Sequence, residues 1–477
     1  MSPAQLRGYA TRLERFDQAV RRVRGMSDPE LTDARRLRVY TMPSVGAVSK
    51  LIGSKSAAGM YQSNLSSPAI FIPEVSGPQW SGSLTFQNIF FHEYAHHLQL
   101  QDASVPIPVW LREGFAEFFA TAEIMSDGSV QIGRLPEYRK WSMRRSLRLR
   151  DEDIVSATYG KLDQMQANAL YARAWLLTHY LTFSEQRKGQ LSTYLSAISK
   201  GLSAADAARA AFGDLRKLSL ELERYAHSAS LPGLTIDAAA TQVGPVQVRP
   251  LRPGEAAAMP IHIRSRRGVD HKTAQAVVVE ARKATAAYPA DAFAQYVLAE
   301  AEQDAGNFAA ASAAADRALK ADPEYVPALT YKGRATMELA KRDRANADWK
   351  AVRSWFIRAA KLDPFDAEPL ALFYQSFGDA GERPTKDAID ALLFAVELAP
   401  QQNALRMTAV HRLLMDNRVP EAKIMFTPLA YNPHAENDWR NKAAELMTAM
   451  SSGDSKKAMA ALEALNKKAE PPAASSS

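Results

Sequence analysis

The sequence contains no cysteine. That excludes a disulfide framework, a thiol nucleophile and a thiolate zinc site, so any bound metal must be held by His, Asp or Glu. It also lacks a run of about 18 apolar residues, which excludes a transmembrane helix. The opening stretch MSPAQLRGYATRLERF has no apolar core of the kind a signal peptide needs. The 23 glycines and 26 prolines in 477 residues are too few and too scattered for a fibrous protein. Basic excess is small: 59 Lys/Arg against 52 Asp/Glu, a net +7. Residues 1–150 hold 19 of the basic and 13 of the acidic side chains, a modest bias and not the dense patch of a nucleic-acid binder.

What is present is ordinary globular composition, with 47% hydrophobic and 23% charged residues over a length suited to two to four domains. The chain enters an amphipathic helix at once, as if it began inside a domain. An N-terminal truncation is therefore expected. The compartment stays open: cytoplasmic by default, exported or periplasmic if a leader has been lost.

Periodicity predicts helices over 4–24, 44–53, 84–101, 108–125, 163–184, 188–200, 203–211 and 214–229. Strands are expected at Arg38–Met42 and at Ala69–Ile72, each closed by a proline. The first 229 residues thus read as one α+β domain, mostly helical. Proline and glycine punctuate 230–268, read as a connector with short strands at Val246–Val248 and Ile261–Ile263. From 269 to 468 the chain is Ala-rich and helical, and 469–477 reads as a disordered tail.

The C-terminal half repeats. Pro289, Pro323, Pro364, Pro400 and Pro433 close similar helices at intervals of 34, 41, 36 and 33 residues. Within 292–325, Ala299 and Gly306 take small packing positions, Phe308 and Ala311 open the second helix, and Ala318, Leu319 and Pro323 stand at its end. This segment resembles the tetratricopeptide repeat, which implies an all-α solenoid and a protein partner. The 41-residue interval departs from the pattern and places a lengthened helix or insertion near 341–352.

Residues 91–99 read Phe-His-Glu-Tyr-Ala-His-His-Leu-Gln. His92 and His96 are one helical turn apart on one face, so both imidazoles can bind one zinc ion, and Glu93 can reach a water held there. A third ligand has to come from another helix. Sixteen residues separate His96 from Glu113, which precedes Glu117 by one turn in Trp-Leu-Arg-Glu-Gly-Phe-Ala-Glu. Two carboxylates on one face of an apolar helix are costly to bury unless a cation or a donor meets each. Zinc at Glu113 and a ligand histidine at Glu117 would supply both.

Together these residues resemble a gluzincin (peptidase-MA-like) zinc metallopeptidase of the bacterial branch often joined to tetratricopeptide repeats. The resemblance covers about residues 1–228. It implies Zn2+ on His92, His96 and Glu113, Glu93 as general base, Glu117 holding a ligand imidazole, and a peptide or protein substrate. It also implies a donor for the transition state from a later helix. Tyr171 is favoured over His179 and Tyr180. The Gly-x-Met-Glu-Asn motif that grips a free amino terminus is absent, so an endopeptidase is favoured over an aminopeptidase. Strand 69–72 could edge the cleft and pair with an extended substrate. His97 reads as solvated or supporting, and His262, His271, His411 and His434 as isolated. The basic run Arg144–Arg150 reads as a solvated helix face. Two rival readings remain: a zinc-binding adaptor without turnover that scaffolds assemblies through its repeats, and a zinc hydrolase of a non-peptide amide.

Overall fold

The computed structural model describes residues 2–28, 30–54, 57–74, 84–101, 106–146, 149–157, 164–228, 230–432 and 437–466. His434, Arg148 and the tail 469–477 lie outside them, as do the side chains of 144–148.

The N-terminal part opens on α1 (Pro3–Arg24), β1 (Arg38–Met42), α2 (Val45–Ile52), β2 (Met60–Gln62) and β3 (Ala69–Pro73). It continues through α3 (Phe86–Leu100), α4 (Val109–Ala120), β4 (Glu123–Ile124) and β5 (Val130–Ile132). Then come α5 (Lys140–Ser146), α6 (Asp151–Val155), α7 (Gln164–Phe183), α8 (Gln190–Ser199), α9 (Ala204–Phe212), α10 (Leu215–Ala226) and β6 (Leu234–Ile236). The helix expected to reach 125 stops at Ala120, because the chain turns into the hairpin β4–β5.

Three strands form one sheet in the order β1-β3-β2, with β1 parallel and β2 antiparallel to β3. The central strand is an unbroken apolar run because both of its faces are covered. Ile70 and Ile72 join the main core with Phe16, Phe90 and Phe91. Ala69 and Phe71 point the other way, towards Tyr40, Leu51, Ile52 and Ile263. A second sheet, β4-β5-β6, brings Leu234–Ile236 back onto this domain.

The expected strand at Ile261–Ile263 is helical instead: it lies in α11 (Pro253–Arg267), which starts on a favourable N-terminal proline and carries Pro260 inside. Residues 246–248 form no strand; they belong to a stretch without regular secondary structure. Short alternation there was misleading, because α11 buries Ile261 and His262 against the following helices and not in a sheet.

After α11 come α12 (His271–Thr285), α13 (Ala292–Asp304), α14 (Phe308–Ala321), α15 (Val326–Arg342), α16 (Trp349–Leu362) and α17 (Ala367–Ala380). The series ends with α18 (Lys386–Leu398), α19 (Asn403–Met415), α20 (Val419–Ala430), α21 (Asn437–Ser451) and α22 (Ser455–Asn466). Each helix packs on the next, and α11, α13, α15 and α17 also pack in succession. That is an all-α solenoid, in which each hairpin buries its apolar face only by stacking on its neighbours. Alanines at 299, 301, 314, 315 and 318 are fully buried and permit the close approach. The long interval is explained by α15, which runs 17 residues and is followed by a 3-10 turn at Arg344–Asn346.

The two halves share buried contacts. The Tyr40 hydroxyl lies 3.0 Å from His262 Nε2, whose Nδ1 meets Glu300 at 2.8 Å, and Tyr331 donates to the same carboxylate at 3.1 Å. His262, expected to be isolated, is the centre of this network.

Candidate metal centre

Helices α3 and α4 run antiparallel, pinned at one end by Asn88, which caps α3 and donates to the Ala120 carbonyl at 2.8 Å. This places His92 beside Glu117 and both histidines beside Glu113. Gly114 sets how closely α4 meets α7. A Cβ there would stand 2.3 Å from Thr178 Oγ1 and 2.5 Å from the Ala174 carbonyl oxygen, so no larger residue fits.

His92 Nε2 and His96 Nε2 are 3.2 Å apart; Glu113 Oε2 lies 3.4 Å from the first and 3.7 Å from the second. Zinc bonds of about 2.0–2.1 Å in tetrahedral geometry give ligand–ligand edges of about 3.3–3.4 Å. The three edges bracket that spacing, so the three atoms are close enough together to meet at one metal ion. Among the described residues this is the one grouping of three ligand-type side chains with atoms all within 4.8 Å.

The surrounding charge is unbalanced. Glu93, Glu113 and Glu117 are buried together. Burial opposes a charge on His92, but the Glu113 hydrogen bond, Glu117 and Glu93 outweigh it and push its pKa up to about 9. Burial pushes Glu93 up to about 7, against the pull of His92 and of the Tyr61 amide. His96 is driven down to about 3, mainly by burial. A cluster in which carboxylates compete for protons is one that a divalent cation stabilises, with neutral imidazoles as its ligands.

Glu117 Oε1 stands 3.5 Å from His92 Nδ1. Burial alone would raise its pKa, yet Arg139 and His92 hold it below the usual range. Arg139 donates at 2.6 Å and the Tyr138 hydroxyl at 2.9 Å. Neither residue stands out in the sequence, where they belong to a plain Pro-Glu-Tyr-Arg-Lys-Trp stretch.

Glu93 Oε2 accepts the Tyr61 backbone N–H at 2.7 Å. Gly59, just before β2, lets that strand lie on α3: a Cβ there would meet Ile89 at 2.7 Å and Glu93 at 3.1 Å. So the strand bordering Glu93 is β2. The expectation that strand 69–72 takes an extended substrate is corrected by this arrangement. Both edges of β3 are already paired, one to β1 and one to β2.

Tyr171 on α7 is half-buried, its ring centroid 6.3 Å from that of His92 and 5.1 Å from the Arg139 guanidinium. Nearby Glu113, with burial next, raises its pKa well above the ordinary value. The alternatives turn elsewhere. His179 binds the Gly133 carbonyl and the Tyr225 hydroxyl, each at 2.8 Å, and Tyr180 donates to Glu221 at 3.1 Å. His97 is not solvated; it is 4% exposed and touches the Tyr61 hydroxyl at 3.3 Å.

Residues 87–202 match a family described as "Protein of unknown function (DUF1570)". That span includes His92, Glu93, His96, Glu113, Glu117, Arg139 and Tyr171. No curated protein matches the chain. Among solved structures, the MamA RS-1 ArsTM double mutant is 17% identical, with 36% of this chain and 92% of that one covered at a TM-score of 0.29. TTC0263, a thermophilic TPR protein of Thermus thermophilus, is 19% identical over 40% and 95% of the two chains, at 0.31. Pseudomonas aeruginosa pilF is 16% identical over 46% and 93%, at 0.35. The solenoid itself rests on the helix packing described above. No helix among the described residues is long and apolar enough to cross a membrane.

Proposed function

We propose that the chain is a zinc-dependent hydrolase of peptide bonds, an endopeptidase in preference to an aminopeptidase. The observation that carries the reading is the ligand triangle of 3.2, 3.4 and 3.7 Å, whose edges suit tetrahedral zinc. The motif resemblance gives the same three residues. Zinc held by His92, His96 and Glu113 would polarise a carbonyl and acidify a water.

The remaining chemistry belongs to side chains of this protein. Glu93 takes the proton of the attacking water and returns it to the leaving amine. It is buried beside His92 and held in place by the Tyr61 amide, which donates to its Oε2 at 2.7 Å. Glu117 fixes the tautomer of His92 and is itself fixed by Arg139 and Tyr138. Tyr171 supplies a hydroxyl to the developing oxyanion. Arg139 supports that role by keeping a guanidinium against the tyrosine ring.

Metal analysis of the purified full chain tests the reading. One zinc per chain is expected, with His92→Ala falling well below one. A full equivalent retained by His92→Ala would remove the ligand assignment.

A further inference from the structure

The hairpin joining β2 to β3 has the tip Gln-Ser-Asn-Leu-Ser-Ser over residues 62–67, with no charged side chain. It does not end in solvent. Leu65 is half-buried against the cluster Ala367, Ala395 and Ala399 of the repeat domain. Gln402 donates to the Ser63 carbonyl at 2.9 Å. Arg266 donates to the Ser66 and Ser67 carbonyls at 2.7 and 2.6 Å. The Ser66 hydroxyl donates to Asp366 at 3.1 Å. An apolar anchor flanked by captured main-chain carbonyls is how a peptide site holds a segment by its backbone while tolerating varied side chains.

Two features mark this occupant as imperfectly matched. Ser67 sits at φ +50°, a left-handed conformation that a non-glycine residue adopts only when its surroundings impose it. Gln62 Oε1 and Asn64 Nδ2 are buried without a hydrogen-bond partner. A segment free of both defects would compete for the same contacts.

The hairpin also touches the metal centre. One residue before Gln62, the Tyr61 amide donates to Glu93 Oε2 at 2.7 Å.

We infer that the rim formed by Arg266, Asp366, Ala399 and Gln402 is a peptide-binding site whose resident ligand is the chain's own β2–β3 hairpin tip, and that this occupancy holds β2 against Glu93. The external partner that fits is a protein with an uncharged polar turn around a leucine. Its binding displaces the tip and frees β2. The docking stands by itself; its consequence for catalysis rests on the role proposed for Glu93.

Hydrogen exchange on the full-length, metal-free protein tests this without zinc or turnover. Leu65→Asp ejects the anchor. The Tyr61 amide is expected to exchange about tenfold faster or more, with α3 amides unchanged. A synthetic peptide of residues 60–68 should bind Leu65→Asp at least about tenfold more tightly than it binds wild type, whose site is occupied. Tyr61 exchange within about twofold of wild type overturns the coupling to Glu93. Equal peptide binding by the two proteins, or binding by neither, overturns the site. Should α3 protection also collapse in Leu65→Asp, Gln402→Ala decides. It removes one hydrogen bond, keeps the apolar contacts, and must still accelerate Tyr61 exchange.

Discussion

Replacing Glu117 by glutamine is the sharpest perturbation of the candidate metal centre that leaves the proposed ligands in place. The carboxylate is 1% exposed and lies 3.5 Å from His92 Nδ1. A full charge pair at that distance would interact by about 5 kcal/mol at an effective dielectric of 20. With zinc bound as proposed, the His92 imidazole is neutral and presents only an N–H dipole, so the loss is smaller. Carboxylates that orient a ligand histidine contribute about 10–100-fold to metal affinity, or about 1.4–2.8 kcal/mol. Glutamine keeps the volume and one acceptor but can no longer balance Arg139, so the buried guanidinium loses its charge partner as well. The assay is competition between apo-protein and a chromophoric zinc chelator at fixed pH, on samples first shown to be folded. Zinc affinity should drop about 10–100-fold. Affinity within about twofold of wild type would refute the idea that Glu117 orients His92.

Gly114→Ala should destabilise the protein by about 1–3 kcal/mol in chemical unfolding, because Thr178 and the Ala174 carbonyl leave no room for a methyl group; a change under about 0.5 kcal/mol would contradict the packing. Arg173→Met strands Asp151, its partner in a fully buried ion pair at 2.8 Å, and should cost about 3–5 kcal/mol. An unchanged unfolding midpoint would show that Ser219, which also donates to Asp151, is enough. Asp366 has its pKa pushed up to about 8, chiefly by burial and then by Glu368. A raised carboxyl favours the protonated form on folding. Its destabilising contribution is therefore absent below about pH 4, grows as pH rises, and is complete above about pH 8. The stability of Asp366→Asn minus that of wild type should increase between pH 5 and 8, and a difference independent of pH would dismiss the shift.

Much of the candidate metal centre was legible because its spacing is local. The i, i+4 spacing of His92 and His96, and of Glu113 and Glu117, fixes a shared helix face before any tertiary structure is known. The antiparallel packing of α3 on α4 then follows from a short linker. Arg139 and Tyr138 were not legible, because they reach Glu117 from a 3-10 turn whose sequence carries no periodic signal. The role of β2 was hidden for a related reason: three residues are too few to show alternation, and only the pairing with β3 reveals which edge faces Glu93. His262 looked isolated because its partners Glu300 and Tyr40 are 38 and 222 residues away, and Tyr331 joins only through Glu300. The solenoid is legible in proline intervals and an alanine-rich helical pattern. Its attachment to the sheet depends on long-range contacts through Arg266 and Gln402, which no local pattern encodes.

The central claim is that Glu93 moves protons for a zinc-dependent peptide hydrolysis. The direct measurement is cleavage of a mixed peptide library by zinc-loaded wild type and by zinc-loaded Glu93→Gln, with metal content determined in the same samples. Internal cleavage by wild type is expected, with a loss of at least about 100-fold in Glu93→Gln at equal zinc content. Absence of cleavage by zinc-loaded wild type, or equal cleavage by both proteins, would contradict the claim.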